Sequence, residues 1–265
     1  MKNIIYFDID GTLWDVSRSF KVSDKTRESI MKLQANGNLA IVNTGRSLAS
    51  IPQEILDLNF DGIIAGCGTY VEINGTVVHN ELLDDEVISL IVDTFSRERI
   101  DLLLEGPEYI YTMDTVFDPD TSKNAFDLFD VHKRIRSLNK HPVQINKISY
   151  LIYNLKSDQA IIDSLQHKLD FIVYPSEIRE GLPLGSSKRT GMIALEQWLQ
   201  QEKEIVIDST YAFGDSRNDI DMLTHATVGI AMGNSDPGIL ALTDYATLDV
   251  VEEGIEHALL HFQLI

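Results

Sequence analysis

The chain has 265 residues, 44% hydrophobic and 24% charged, enough for one sizeable core and a smaller second unit. Lys plus Arg number 22 and Asp plus Glu 41, so the net charge is 22 − 41 = −19, which argues against nucleic acid or an anionic membrane surface as a partner. One cysteine, Cys67, allows no internal disulfide, and with no apolar run long enough for a signal peptide or a membrane span the expectation is a cytoplasmic protein whose oligomeric state leaves no mark on the sequence.

Ile4 to Phe7 reads as a buried strand broken by Gly11-Thr12. Ser23 or Asp24 can cap a helix carrying Ile30, Met31 and Leu33, with Gly37 at its stop. Leu39 to Val42 reads as a strand running into Asn43-Thr44-Gly45-Arg46. Ser47 to Leu56 reads as a helix with Pro52 near its start, and Gly62 to Ala65 as a third strand. The order strand–helix–strand–helix–strand predicts a parallel, doubly wound sheet. After about residue 82 the pattern changes. Asp84 to Phe95 is amphipathic, and Ile100 to Leu104 and Tyr109 to Met113 form a hairpin across Gly106-Pro107. Ala125 to Leu138 reads as helical, and residues 147–174 as strand, helix, strand. Residues 175–187, rich in glycine and proline, read as a return linker with a hinge at Gly181, Pro183 and Gly185. The parallel pattern then resumes with a helix capped by Ser187, a strand ending in Gly214-Asp215, a helix capped by Ser216, and a strand over Val228 to Met232. The expected architecture is a Rossmann-like α/β core, residues 1–82 and 186–265, interrupted by an α+β cap, residues 83–185.

Open parallel sheets bind ligands beyond the carboxyl ends of their strands. Asp8 and Asp10, Thr44 and Gly45, and Asp215 with Asn218 and Asp219 all fall there, and Lys188 opens the intervening helix. Carboxylates, a hydroxyl, an amide and a lysine suit a hard cation beside a phosphate. One of the paired carboxylates can attack phosphorus and the other can move the proton. Thr44 and the Gly45 amide can donate to phosphate oxygens, and Lys188 can offset their charge. The candidate metal set is Asp8, Asp10, Asp215 and Asp219.

The segments Phe7-Asp8-Ile9-Asp10-Gly11-Thr12, Thr44-Gly45-Arg46, Lys188 and Gly214-Asp215-Ser216-Arg217-Asn218-Asp219 resemble the motifs of the haloacid dehalogenase superfamily. Their order and the large insertion are similar to the Cof-type hydrolases with an α/β cap, over nearly the whole chain. The resemblance implies a magnesium-dependent phosphatase acting on a small phosphate ester, with Asp8 as nucleophile and Asp10 as acid/base. It also implies Asp215 as metal ligand and Thr44, Lys188 and Asn218 as phosphate contacts. A phosphotransferase of the phosphomannomutase kind shares the nucleophile and is the alternative. A non-catalytic acyl-phosphate switch is a third reading. Departures are Cys67-Gly68 where Asn-Gly is common and Arg189 where glycine is usual.

Other features carry bland readings. Gly66-Cys67-Gly68 lacks the third glycine of a dinucleotide fingerprint, and Asp118-Pro119-Asp120 lacks the calcium-loop spacing. His257 and His261 read as a packed or solvated pair, Cys67 as a small buried residue, and Tyr109, Tyr111 and Phe117 as core or cap surface.

Overall fold

The computed structural model describes residues 2–16, 20–115, 117, 134–138, 143–152, 154–174 and 176–265. It divides into two compact units. The first comprises Met1–Gly45, Pro52–His79 and Ser187–Ile265; the second comprises Arg46–Ile51 and Asn80–Ser186.

The first unit is built on β1 (Lys2–Phe7), β2 (Leu39–Asn43), β3 (Gly62–Ala65), β4 (Tyr70–Ile73), β5 (Thr76–Asn80), β12 (Ile207–Gly214), β13 (Val228–Ala231) and β14 (Tyr245–Ala246). Their order across the sheet is β14-β13-β12-β1-β2-β3-β4-β5, parallel from β14 to β3. The continuous apolar run of β1 is what a central parallel strand needs, because helices cover both faces of the sheet. Ile4 and Tyr6 pack with Met192, Leu195 and Leu199 of one helix and Met222 and Leu223 of another. Ile5 and Phe7 alternate to the opposite face. There the ring of Phe7 stacks on Phe213, and the helix Asp24–Ala35 packs against the last helix, Gly254–His261. Ser23 does cap the former helix, its side chain accepting from the Thr26 amide, and Gly37 follows its end with φ +86°. The hairpin β4–β5 was not among the sequence expectations. Its signal is Asn74-Gly75, both at positive φ, the pair a tight hairpin turn requires.

The segment expected as one helix over 47–56 is broken. A single 3-10 turn, Leu48–Ser50, ends at Ile51, and Pro52 precedes a short helix, Gln53–Leu56. Pro52 lacks the N–H that would bond back into the preceding turn, so the helix restarts there. The break also lets Arg46–Ile51 join the second unit.

That unit holds a sheet of β6 (Leu102–Glu105), β7 (Ile110–Thr112), β8 (Ile135–Ser137), β9 (Lys147–Leu151), β10 (Leu169–Val173) and β11 (Ile178–Pro183), in the order β10-β11-β9-β6-β7-β8. Neighbours are antiparallel except β7 and β8. Two helices, Asp85–Glu98 and Leu155–Leu165, bury Ile88, Ile91, Phe95, Ile161 and Leu165 with Leu104, Ile148 and Tyr150 of the sheet.

Two expectations fail here. The return linker is largely strand β11: Gly181 pairs with Ile148 and Phe171, and a Cβ on it would lie 2.8 Å from the Ile148 side chain. Gly181 is thus a close-packing residue, and Pro183 ends the strand, so neither works as a hinge. Gly185, at φ +83° with open space around it, remains in the short connection. The helix expected over 125–138 falls mostly outside the described residues, as does Asp118-Pro119-Asp120, and its last part, Ile135–Ser137, is a strand.

Candidate active site

Asp8 follows β1, and its amide continues the ladder to Phe213 O at 3.0 Å. Asp215 follows β12, the neighbouring strand, so the two acids leave the sheet side by side. Gly11, at φ +87°, makes this possible. A Cβ there would lie 2.3 Å from Asp215 Oδ2, so only glycine admits that carboxylate. Thr12, fully buried, donates its hydroxyl to Asp215 Oδ1 at 3.3 Å.

Lys188 is the first residue of the helix Lys188–Glu202, capped by Ser187 and Thr190 in a reciprocal box. A cation at a helix N-terminus opposes the macrodipole, so the helix itself gains nothing from it. Its compensation is tertiary. Nζ, 1% exposed as part of its residue, donates to Asp8 Oδ1 at 2.6 Å and to Asp219 Oδ1. Close backbone packing brings the helix there: a Cβ on Gly68 would meet Ser187 O at 2.1 Å, and one on Gly191 would meet Gly68 Cα at 2.9 Å. The Gly66-Cys67-Gly68 turn is thus a seat for this helix. The Cys67 amide also donates to Thr44 O at 3.0 Å, which ties the turn to the second motif. Cys67 itself is buried. Asn43, which the sequence reading passed over, donates Nδ2 to Lys188 O at 3.2 Å inside the core. Its Oδ1 accepts no hydrogen bond among the described residues. Asparagine amid the apolar residues of a buried strand was the available signal.

Asp219 is fully buried and fully used. Oδ2 accepts from the Asp215 amide at 3.0 Å and the Ser216 amide at 2.9 Å, while Oδ1 takes Lys188. Gly214 permits this, since a Cβ there would meet Asp219 Cβ at 2.6 Å. Asn218 accepts from the Ser216 hydroxyl. Thr44 is buried and Gly45 half-buried at the end of β2.

Among the described residues, the acids that converge are Asp8, Asp215 and Asp219, with one oxygen of each within 4.8 Å of the others. Asp10, expected in the same metal set, does not join them. Its Oδ1 accepts from the Trp14 indole N–H at 3.0 Å. Burial pushes the Asp8 carboxyl up to about 7, against the pull of Lys188 and with Asp219 and Asp10 adding to the rise. Burial, then Asp219 and Asp8, push Asp215 up to about 8. Burial opposes the charge on Lys188, but Asp219 and Asp8 outweigh it and raise its pKa, so it stays protonated. Three carboxylates and one ammonium leave two uncompensated negative charges when all are ionised. An all-oxygen donor set with that charge deficit fits a hard divalent cation.

His257 and His261 form no such site. Tyr245 stacks on the His261 ring at 4.5 Å, and Thr247 Oγ1 lies 3.2 Å from His257 Nδ1. Tyr111 belongs to the core of the second unit, with Tyr109 packed against it.

This largely parallel sheet, with acids at its strand ends and a buried lysine facing them from the start of a helix, defines an α/β core of the Rossmann-like kind. The model of the haloacid dehalogenase-like hydrolases matches residues 5–259, and the chain belongs to that family, in its Cof-type branch. Phosphatase YwpJ of Bacillus subtilis (strain 168) is 28% identical, over 97% of this chain and 99% of its own length. The HMP-PP phosphatase of Enterobacter sp. (strain 638) is 24% identical, over 99% and 96%. The structure of the subclass IIB sugar phosphatase BT4131 superposes with a TM-score of 0.82 at 24% identity, covering all of both chains. The chain is an enzyme of this phosphatase class. No helix among the described residues is long and apolar enough to cross a membrane.

Proposed function

We propose that this enzyme hydrolyses the phosphate monoester of a small metabolite, using magnesium held by Asp8 and Asp215, with the phosphoryl group passing through Asp8. The carrying observation is the trio of acids, Asp8 and Asp219 buried and Asp215 half-buried, against one lysine, two charges short of neutral, at the ligand-binding end of the sheet. Asp219, both of whose oxygens are engaged, serves the set by fixing Lys188 and the Asp215 loop. When bound, the cation neutralises the site and keeps Asp8 ionised beside an anionic substrate.

The remaining chemistry belongs to the chain. An Asp8 oxygen attacks phosphorus as the ester P–O bond breaks, and Asp10 gives its proton to the departing alkoxide. Asp10, now a carboxylate, takes a proton from the water that attacks the acyl phosphate; inorganic phosphate leaves and Asp8 is restored. Thr44, Gly45 and Asn218 hold the phosphoryl oxygens, and Lys188 offsets the charge that grows on them. The substrate of this reading is a small ester. The charge of −19 supports this, since it repels polyanions over a wide surface. The substrates named for one relative and one structural neighbour, HMP-PP and a sugar phosphate, are small as well.

Phosphate release from a panel of phosphorylated metabolites, with magnesium and after exhaustive chelation, tests the reading. We expect turnover of some small esters, none without metal, and little or none of folded phosphoproteins. Full activity after chelation, or a phosphoprotein turned over as fast as the best metabolite, would count against it.

The raised carboxyls add a pH prediction. Their folded-state values of about 7 and about 8 lie above the ordinary 3.8. In the metal-free protein their contribution to stability is therefore fully present below about pH 4 and is lost as pH rises through 7 to 8. A metal must displace those protons, so its affinity should rise by about tenfold per pH unit for each proton displaced, up to about pH 8. Magnesium should accordingly raise the melting temperature more at pH 8 than at pH 5.5. Equal shifts at both pH values would mean that Asp8 and Asp215 do not hold the ion.

A further inference from the structure

The loop after Asp8 folds back on itself. Ile9 O accepts from Leu13 N at 2.9 Å, and Gly11 N donates to Trp14 O at 3.0 Å. This returns Trp14 to Asp10, four positions earlier, and the indole Nε1–H donates to Asp10 Oδ1 at 3.0 Å. Trp14 is 1% exposed, and its ring meets Phe20 edge to face at 5.5 Å. The donor is therefore enclosed, while Asp10 itself is only half-buried.

We propose that Trp14 is the positioning residue for proton transfer by Asp10, and that its indole assigns the transferable proton to Asp10 Oδ2. The inference rests on the reading of Asp10 as the acid/base above. An indole N–H donates and never accepts. In the acid form of Asp10 the oxygen facing it serves as the carbonyl acceptor, so the hydroxyl is Oδ2. When the ester P–O bond breaks, the proton moves from Oδ2 to the leaving oxygen, and the negative charge left on the carboxylate stays hydrogen-bonded to the indole. In the second half-reaction Oδ2 takes a proton from the attacking water. The same hydrogen bond resists rotation of the carboxylate, so Oδ2 keeps one aim through both steps. Trp14 touches no reacting atom; it acts only through Asp10.

Trp14→Phe keeps an aromatic ring and removes the donor. Phenyl phosphate and p-nitrophenyl phosphate share a shape but differ in how much their leaving oxygens need a proton. For phenyl phosphate we expect kcat to fall about 10–100-fold, part of the worth of general acid help, with KM little changed and a clearly smaller loss for p-nitrophenyl phosphate. In an Asp10→Asn background the same change should have almost no further effect, because both act through one proton transfer. Equal losses on the two esters, an effect confined to KM, or full additivity with Asp10→Asn would overturn the proposal.

A second measurement leaves Trp14 itself unaltered. The chain has two tryptophans, Trp14 and Trp198, hence two indole N–H resonances. Asp10→Ala should move the Trp14 resonance upfield and speed its exchange with solvent, leaving Trp198 in place. Two unmoved signals would show that the hydrogen bond is absent in solution. If the wild-type enzyme released phosphate from no ester, the phosphatase reading would fall, while the resonances would still decide the Trp14–Asp10 contact.

Discussion

Replacing Asp8 by Asn is expected to lower kcat by on the order of 10⁴–10⁶-fold on every substrate, the scale seen when a covalent nucleophile is removed. An amide cannot form the acyl phosphate, so no substrate should escape the loss. The fold should survive it. Asn matches Asp in shape and can still accept from Lys188 Nζ, which sits 2.6 Å from Asp8 Oδ1. Burial already opposes ionisation at this position, so the neutral side chain removes a desolvation cost at neutral pH. The metal-free variant should therefore melt no lower than the wild type at pH 8, and magnesium should stabilise it less. Rapid quench with radiolabelled ester separates the causes: wild-type enzyme should show acid-stable label on protein, the variant none. A variant retaining a tenth of the activity would falsify Asp8 as nucleophile.

Asp10→Asn should cost about 10²–10⁴-fold in kcat, with the larger loss on esters whose leaving oxygen most needs a proton. Asn remains able to accept from the Trp14 indole, so the loop should keep its course. The position lies outside the trio Asp8, Asp215 and Asp219, so magnesium affinity should change little, unlike in Asp8→Asn. A loss that is equal on phenyl and p-nitrophenyl phosphate would remove Asp10 from the proton-transfer role. A large loss of magnesium affinity would instead return its carboxylate to the metal set.

What was legible in the sequence is what local chemistry can encode. A continuous apolar run fits only a doubly covered strand, so β1 was legible, as was the exit of Asp8 from its carboxyl end. Ser23 and Ser187 announced helix starts because a cap acts within three residues of itself. The alternation of strands and helices then sufficed for a parallel sheet with an insertion. What acts across long separations was decided by the tertiary structure. Lys188 reaches Asp8 across 180 positions and turns an ordinary helix-opening lysine into a buried counter-ion. Gly66-Cys67-Gly68, a failed motif on its own, became the seat of that helix because Gly68 and Gly191 allow two backbones to touch. Ile178–Pro183 read as a linker because Gly and Pro are breakers in isolation, yet between β10 and β9 the ladder and the Ile148 side chain make Gly181 the fitting residue. Asp8 and Asp10, two apart on a chain leaving a strand, are expected to face one site, with Asp10 in the metal set. The turn after Ile9 instead delivers it to the Trp14 indole, and whether a carboxylate meets a cation or an N–H donor depends on how the chain folds back, which spacing alone does not specify.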